Sequence, residues 1–206
     1  MDVSLPYVVS LFVVLIVSLS VHEAAHAWTA DRLGDPTARM LGRLTLNPIP
    51  HIDPIGTLLF PLVAMVSGVP LIGWAKPVPV DVYRLRSPRR DFALVAVAGP
   101  ISNLLLAAVG VVLFRTLDAT GGLGPTLDSA LFAFVFLNVF LAVFNMLPVP
   151  PLDGGNVLAG LVPESMARVI DSVRPYGIFV LYALLFMGVI GAIARPLQIA
   201  VVRMLT

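Results

Sequence analysis

Long uncharged runs separated by short polar segments make up most of this chain of 206 residues. The uncharged runs cover residues 3–21, 55–75, 92–114, 129–152 and 175–194. About 20 apolar residues are enough for an α-helix to cross the hydrocarbon core of a bilayer. The pattern therefore predicts an all-α integral membrane protein with about four full transmembrane helices, near residues 5–30, 92–115, 130–148 and 176–194.

The run at residues 55–75 differs from the others because glycine and proline interrupt it repeatedly. Such a density of helix breakers disfavours a straight spanning helix. Non-helical backbone is tolerated at membrane depth only where protein or water covers it. We therefore expect a re-entrant apolar segment at 55–75, with short extended or β pieces nearby. Arg43–Leu46 and Val78–Val80 are candidate strand edges, and ordinary connecting loops are the alternative for both.

The composition supports the membrane assignment and excludes several classes of protein. Hydrophobic residues make up 58% of the chain and charged residues 12%, whereas a typical soluble domain has about 25% charged residues. No basic block suggests binding to nucleic acid. The absence of cysteine excludes disulfides and thiolate metal sites. We expect residues 1–206 to form a single domain, with a core at about 5–160 and a C-terminal helix at about 175–202.

The first uncharged run leads directly into His-Glu-Ala-Ala-His at residues 22–26. On a helix predicted over about Leu5–Leu33, residues four apart share one face, so His22 and His26 can hold one metal ion. Zn²⁺ accepts imidazole nitrogen readily. Glu23 is the next residue along and is placed to act as a general base on the water that zinc activates.

Two other interpretations of this stretch are possible. The His-Glu-x-x-His pattern also occurs by chance, and Ala25-His26-Ala27 imitates a signal-peptide cleavage site. A signal peptide requires a basic N-terminal region, but the chain begins with Asp2 and has no Lys or Arg before Arg32. A single charge at mid-membrane costs at least about 2.5–3.5 kcal/mol. Three ionisable groups within five residues therefore favour a bound metal.

Asp153 is the best candidate for a third protein ligand. It is the first charged residue after the uncharged run at 129–152, with prolines before it and Gly154 and Gly155 after it. The prolines end a helix and the glycines let the backbone turn closely. A plain Asp-Gly-Gly turn at the membrane boundary is the alternative, and these residues alone leave both open.

Together these motifs resemble the site-2 protease family, the intramembrane zinc metalloproteases of peptidase family M50. The resemblance is carried by His-Glu-Ala-Ala-His at 22–26 and by Asn-Met-Leu-Pro-Val-Pro-Pro-Leu-Asp-Gly at 145–154, and it extends over about Val8–Gly155. It implies one Zn²⁺ held by His22, His26 and Asp153, with Glu23 as catalytic base. It also implies hydrolysis of peptide bonds in or near transmembrane segments of other proteins, as in regulated intramembrane proteolysis. We expect a short form without a PDZ or CBS domain.

The two motifs can meet only if their helices end on the same side of the membrane. If the runs at 55–75 and 92–114 both crossed, Asp153 would lie on the side opposite His26, which again favours a re-entrant segment at 55–75. The positive-inside rule then puts the active site at the cytoplasmic face of a bacterial-type plasma membrane. That face carries Arg32, Arg39, Arg43, Lys76, Arg84, Arg86, Arg89, Arg90, Arg168 and Arg174.

Other polar residues within the apolar runs are candidates for secondary roles. Asn145 and Asn103 could contact substrate or the oxyanion, although a structural role is favoured for Asn103. Asn138 is expected to bond to a neighbouring helix, and His51 is interpreted as a loop histidine. Competing functions are a divalent-metal transporter and an inactive relative that binds membrane helices. Rhomboid-type serine chemistry is disfavoured because the chain has no Gly-x-Ser-x-Gly.

Overall fold

The computed structural model describes residues 5–67 and 73–206, and these residues form helices and loops with no β-strand. The α-helices are α1 (Leu5–Arg32), α2 (Thr37–Met40), α3 (Phe60–Ser67), α4 (Pro88–Ala119), α5 (Pro125–Asn145), α6 (Asp153–Leu161), α7 (Glu164–Val173), α8 (Gly177–Phe186) and α9 (Val189–Leu205). Among the described residues, four helical stretches are long and apolar enough to span a membrane: Val8–Arg32, Pro88–Ala119, Pro125–Asn145 and Glu164–Phe186. An all-helical integral membrane protein is therefore confirmed.

Helix α4 lies at the centre of the fold and packs against α1, α5 and α6. The C-terminal half of α4 joins α5 and α9 in an apolar core built from Ala107, Phe114, Leu131, Val135, Val201 and Leu205. The N-terminal half of α4 faces α1 and α6 and is lined by small residues such as Ala93, Ala96 and Gly99. Small side chains let neighbouring helices approach closely, and the functional residues lie in this closely packed half.

The two ends of the apolar segment at 55–75 lie next to each other and are joined by hydrogen bonds. A π-helical turn (Pro54–Leu59) leads into α3, and the Asp53 carboxylate caps its start by accepting from the Ile55 and Gly56 amides at 3.0 and 2.7 Å. The Trp74 amide donates to the Gly56 carbonyl at 3.1 Å, and the Thr57 hydroxyl donates to the Trp74 carbonyl at 2.8 Å. Residues 68–72, which belong to the expected re-entrant segment, lie outside the described residues.

After this segment the chain runs from Gly73 to Asp81 without regular secondary structure. The Lys76 amide donates to the His51 carbonyl at 2.9 Å, and the Arg43 guanidinium donates to the Lys76 carbonyl at 2.6 Å. Neither Arg43–Leu46 nor Val78–Val80 is a strand, so the expected β pieces are not confirmed. Pro77 and Pro79 have no N–H and cannot donate to a ladder.

The C-terminal third differs from the predicted span at 176–194. The polar residues before it form α7, and the apolar helix α8 ends at Gly188, which has a left-handed φ of 77°. Glycine adopts this conformation without strain and commonly terminates helices. Helix α9 then continues through Pro196, although proline disfavours a helix interior. The Arg115 guanidinium donates to the Met204 carbonyl at 3.0 Å, so α9 ends beside the far end of α4.

Candidate metal centre and active site

Helix α1 presents His22 and His26 on the face that packs against α4. The two side chains lie one helical turn apart. Both residues are buried, with 5% of the surface of His22 and 8% of the surface of His26 exposed. Their Nε2 atoms are 3.0 Å apart. Each ring therefore directs one nitrogen toward a common point.

Asp153, the first residue of α6, completes the group. Its Oδ2 lies 3.2 Å from His22 Nε2 and its Oδ1 lies 3.4 Å from His26 Nε2. Bonds of about 2.0–2.2 Å in a tetrahedral zinc site place ligand atoms roughly 3.3–3.6 Å apart. The observed triangle is within a few tenths of an ångström of that spacing.

The donor set has the chemistry of a zinc site as well as its spacing. Asp153 Oδ2 is buried without a hydrogen-bond donor, an arrangement that a cation would satisfy. A carboxyl must be ionised to act as a metal ligand, and a bound cation beside the two Nε2 lone pairs would favour that form. Among the described residues, His22, His26 and Asp153 are the His and carboxylate side chains that lie close enough together to share one metal ion.

The two glycines after Asp153 allow the proline-rich loop to pack directly on the first turn of α6. A Cβ on Gly154 would collide with the carbonyl oxygens of Met146 and Leu147. A Cβ on Gly155 would lie 2.6 Å from Pro150 N. The Asp-Gly-Gly sequence thus holds the loop that precedes Asp153 against its own helix, and this fixes the position of the carboxylate.

Hydrogen bonds at the other ring nitrogen orient both imidazoles. His22 Nδ1 lies 2.6 Å from Asn103 Oδ1, and His26 Nδ1 lies 2.7 Å from the Val95 carbonyl oxygen. Both partners can only accept, so both Nδ1 atoms carry the proton. Each Nε2 is then left with the lone pair that a metal requires.

Asn103 continues into a buried polar network that joins three helices. Its Nδ2 donates to Asn138 Oδ1 at 2.8 Å, and Asn138 Nδ2 donates to Ser18 Oγ at 2.9 Å. Ser18, Asn103 and Asn138 have no exposed surface. Asn138 thus bonds to neighbouring helices as expected. For Asn103 the geometry favours a role in positioning His22, and its direct contact with substrate stays a prediction.

The Glu23 side chain is held by the extended segment after Trp74. Glu23 Oε2 accepts from the Val78 amide at 2.8 Å. Glu23 lines the same cavity as His22, His26 and Asp153, with a volume of about 540 Å³. Asn145 also lies on the cavity wall, and its amide donates to the Leu141 carbonyl at 3.0 Å. A carboxylate is therefore fixed beside the candidate metal centre.

His51 lies outside the candidate metal centre, where the loop before α3 meets the extended segment after Trp74. It is 2% exposed, and its Nε2 donates to the Thr45 carbonyl at 2.9 Å. Asn156 was not singled out from the sequence, yet it lines the cavity. It stands one turn after Asp153 on α6, and this spacing was the only signal that could have indicated it.

Sequence reasoning also missed Gly99, which forms the floor under both imidazoles. A Cβ at this position would lie 2.5 Å from His22 Cε1 and 2.5 Å from His26 Nε2. Helix α4 therefore packs on the histidines only because residue 99 has no side chain. The Gly99-Pro100 pair within an apolar run was the available signal.

We expect Gly99→Ala to weaken zinc binding by at least about 10–100-fold, the effect typical of displacing the groups that orient metal ligands. Gly110→Ala is the matched control on the same helix, since its Cβ would lie 2.8 Å from Phe134 and Val135 instead. Zinc content and Tm of the purified variants in detergent are the measurements. Wild-type zinc affinity in Gly99→Ala would contradict the described packing, whereas the control should lose Tm and keep zinc.

Comparisons with known proteins agree with this geometry. The description "Peptidase family M50" belongs to the family model that matches residues 123–188. The chain is 40% identical over 193 residues to YwhC of Bacillus subtilis, a match covering 91% of this chain and 83% of YwhC. It is 31% identical over 171 residues to Rip2 of Mycolicibacterium smegmatis, covering 82% of this chain and 64% of Rip2.

Both relatives carry the name "Putative zinc metalloprotease". No solved structure gives a significant match. The similarity to YwhC extends over most of both chains. The chain therefore belongs to peptidase family M50, the site-2 protease family.

Proposed function

We propose that this protein is an intramembrane zinc endopeptidase that hydrolyses peptide bonds in or near transmembrane segments of other membrane proteins. The observation that carries the proposal is the triangle of His22, His26 and Asp153 with Glu23 on the wall of the same cavity. One Zn²⁺ per chain would be held by the three ligands, leaving a fourth position open, as catalytic zinc sites require. Regulated intramembrane proteolysis is the process that such an activity serves.

A Zn²⁺ ion held by these ligands would polarise the scissile carbonyl and lower the pKa of the attacking water. Glu23 takes the proton from this water and later delivers it to the leaving amine. The Val78 amide donates to Glu23 Oε2 at 2.8 Å and so holds this carboxylate on the cavity wall. Asn145 stands on the wall of the cavity and is our candidate for contact with the substrate or the oxyanion.

A helical substrate must be unwound before hydrolysis because its amides are otherwise hydrogen-bonded within the helix. Pro77, Val78 and Val80 lie on the cavity wall, but the backbone N–H donors of this segment are mostly in use. Lys76 N–H donates to His51, Val78 N–H donates to Glu23, and the prolines have none. We propose that this wall holds the unwound chain chiefly by accepting hydrogen bonds from it, and not as a full strand edge.

The topology that follows from the proposal has the active site at the cytoplasmic face of the bacterial plasma membrane. Support comes from the hydrogen bonds that join Gly56 and Thr57 to Trp74, since a segment with adjacent ends enters and leaves the membrane on one side. The Lys and Arg residues on both sides of this segment then share the cytoplasmic face, in agreement with the positive-inside rule.

Single-cysteine labelling tests the re-entrant segment cleanly because the chain has no cysteine. Ile49 and Tyr83 flank the segment and are 74% and 94% exposed. We expect a membrane-impermeant maleimide to label Thr120→Cys in intact spheroplasts, and to label Ile49→Cys and Tyr83→Cys only after lysis. Labelling of Ile49→Cys and Tyr83→Cys from opposite sides would show that residues 55–75 cross the membrane.

The proposed activity is tested by mapping new protein termini in membranes of cells that contain the wild type or Glu23→Gln. The expected result is a set of termini within or next to transmembrane segments that appears only with the wild type. New termini confined to soluble proteins, or an identical set with Glu23→Gln, would overturn the proposal.

A further inference from the structure

The cavity that holds the candidate active site has a single cationic side chain among its described lining residues other than the histidines. That residue is Arg174. It follows α7 directly and begins the one-turn helix Arg174–Tyr176 that leads into α8. Its side chain is 39% exposed, so it lies at the mouth of the cavity and not in its depth.

Packing around Gly177 fixes Arg174 close to the loop that carries Asp153. Gly177 is buried, and a Cβ there would meet the Pro150 carbonyl oxygen and would lie 2.6 Å from Pro151 Cδ. The start of α8 therefore lies directly on the proline-rich loop. Arg174 and Asp153 therefore line the same cavity.

Helix α7, which precedes Arg174, is amphipathic. Its exposed apolar residues Met166, Val169 and Val173 recur at helical spacing, and charged residues occupy the other side. Such a pattern suits the membrane interface, whereas α8 is apolar throughout. Tyr176 is 63% exposed and has the amphipathic character of an interfacial anchor.

The charge of Arg174 is available to a ligand. Its partner is Asp171, at 2.9 Å, and that side chain is 56% exposed. Ion pairs between exposed groups contribute little and exchange readily. The carboxylates deeper in the cavity are already engaged, since Asp153 contacts two imidazoles and Glu23 accepts from Val78.

We propose that Arg174 selects substrates with an acidic side chain on the cytoplasmic flank of the transmembrane segment and rejects those with a basic flank. The inference rests on the proposed function. Most membrane proteins carry Lys or Arg at cytoplasmic helix ends, so a cation at the mouth of the cavity discriminates against the majority of spans. Specificity of this kind uses repulsion of the wrong partner as well as attraction of the right one.

The test uses two single-span peptides that are identical except for a Glu-Glu or Lys-Lys pair after the transmembrane segment. Binding is measured by fluorescence anisotropy in detergent to the zinc-loaded Glu23→Gln protein, which does not consume the peptide. We expect the acidic peptide to bind about fivefold more tightly at low salt, and we expect added salt to reduce this difference.

Charge reversal provides the decisive comparison. In the Glu23→Gln background, Arg174→Glu should invert the preference. Arg168→Glu is the matched control, since Arg168 lies on α7 with 73% of its side chain exposed and pairs with Glu164 at 3.2 Å. An unchanged preference in Arg174→Glu, an equal change in Arg168→Glu, or binding of neither peptide would overturn the inference.

Cleavage of the same two peptides by the wild type separates the inference from the proposed function. Cleavage without any charge preference would refute the role of Arg174 but would support the proposed protease function. An invertible binding preference without cleavage of either peptide would support the role of Arg174 and count against peptide hydrolysis.

Discussion

Replacing Glu23 with glutamine is expected to lower peptide hydrolysis by about 10²–10⁴-fold, the usual contribution of a general base. Glutamine keeps the size of the side chain, and its carbonyl oxygen can still accept from the Val78 amide at the position that Glu23 Oε2 occupies. The variant therefore loses the basic oxygen without losing its place in the cavity. Because Glu23 is not one of the three proposed ligands, we expect the zinc content to remain at the proposed one ion per chain.

The measurement is the initial rate of cleavage of a single-span fluorogenic peptide, together with elemental analysis of the same preparation. Glu164→Gln is the control, since that side chain is 72% exposed on α7 and should behave as wild type. Substantial activity in Glu23→Gln would assign the base to another group. A loss of zinc from Glu23→Gln would instead place Glu23 among the ligands.

Asp153→Ala is expected to release zinc and with it all hydrolytic activity. The substitution removes the oxygens that lie 3.2 and 3.4 Å from the two Nε2 atoms, and leaves two imidazoles to hold the ion. The loss of affinity should exceed the about 10–100-fold that follows loss of an outer-shell partner. Zinc content after dialysis against a weak chelator, compared among wild type, His22→Ala and Asp153→Ala, measures the effect.

Asp128→Ala is the matched control for this variant. Asp128 also lies in the first turn of a helix, α5, but it is exposed and far along the chain from the candidate ligands. It should retain full zinc. Full zinc in Asp153→Ala as well would remove the third ligand, and the argument that His26 and Asp153 must end on one side would fail with it.

The candidate metal ligands could be predicted because residue spacing and immediate sequence neighbours are enough to identify them. Spacing along a helix brings His22 and His26 to one face whatever surrounds them. Asp153 could be found because it is a lone charge after a long uncharged run, with prolines and glycines that restrict the backbone around it. Hydrophobicity likewise predicted the spanning character of α1, α4 and α5 and the ends of these helices to within a few residues.

The parts that could not be predicted depend on contacts between distant segments. The Gly99-Pro100 pair does not show which side chains lie against Gly99, and nothing near Val78 shows that its amide holds Glu23. The break at Gly188 was missed because glycine is common within apolar helices of membrane proteins, so a single one carries little information. Pro196 does not end α9, since a helix tolerates proline where neighbouring groups satisfy the freed backbone.

The ligands of the candidate centre are far apart in the sequence and are therefore synthesised at different times. His22 and His26 leave the ribosome early with α1, whereas Asp153 follows only after α4 and α5 have been made. A nascent chain therefore holds an incomplete ligand set throughout most of its insertion into the membrane. The proposed hydrolytic activity can therefore begin only after α6 has been made and has packed against α4.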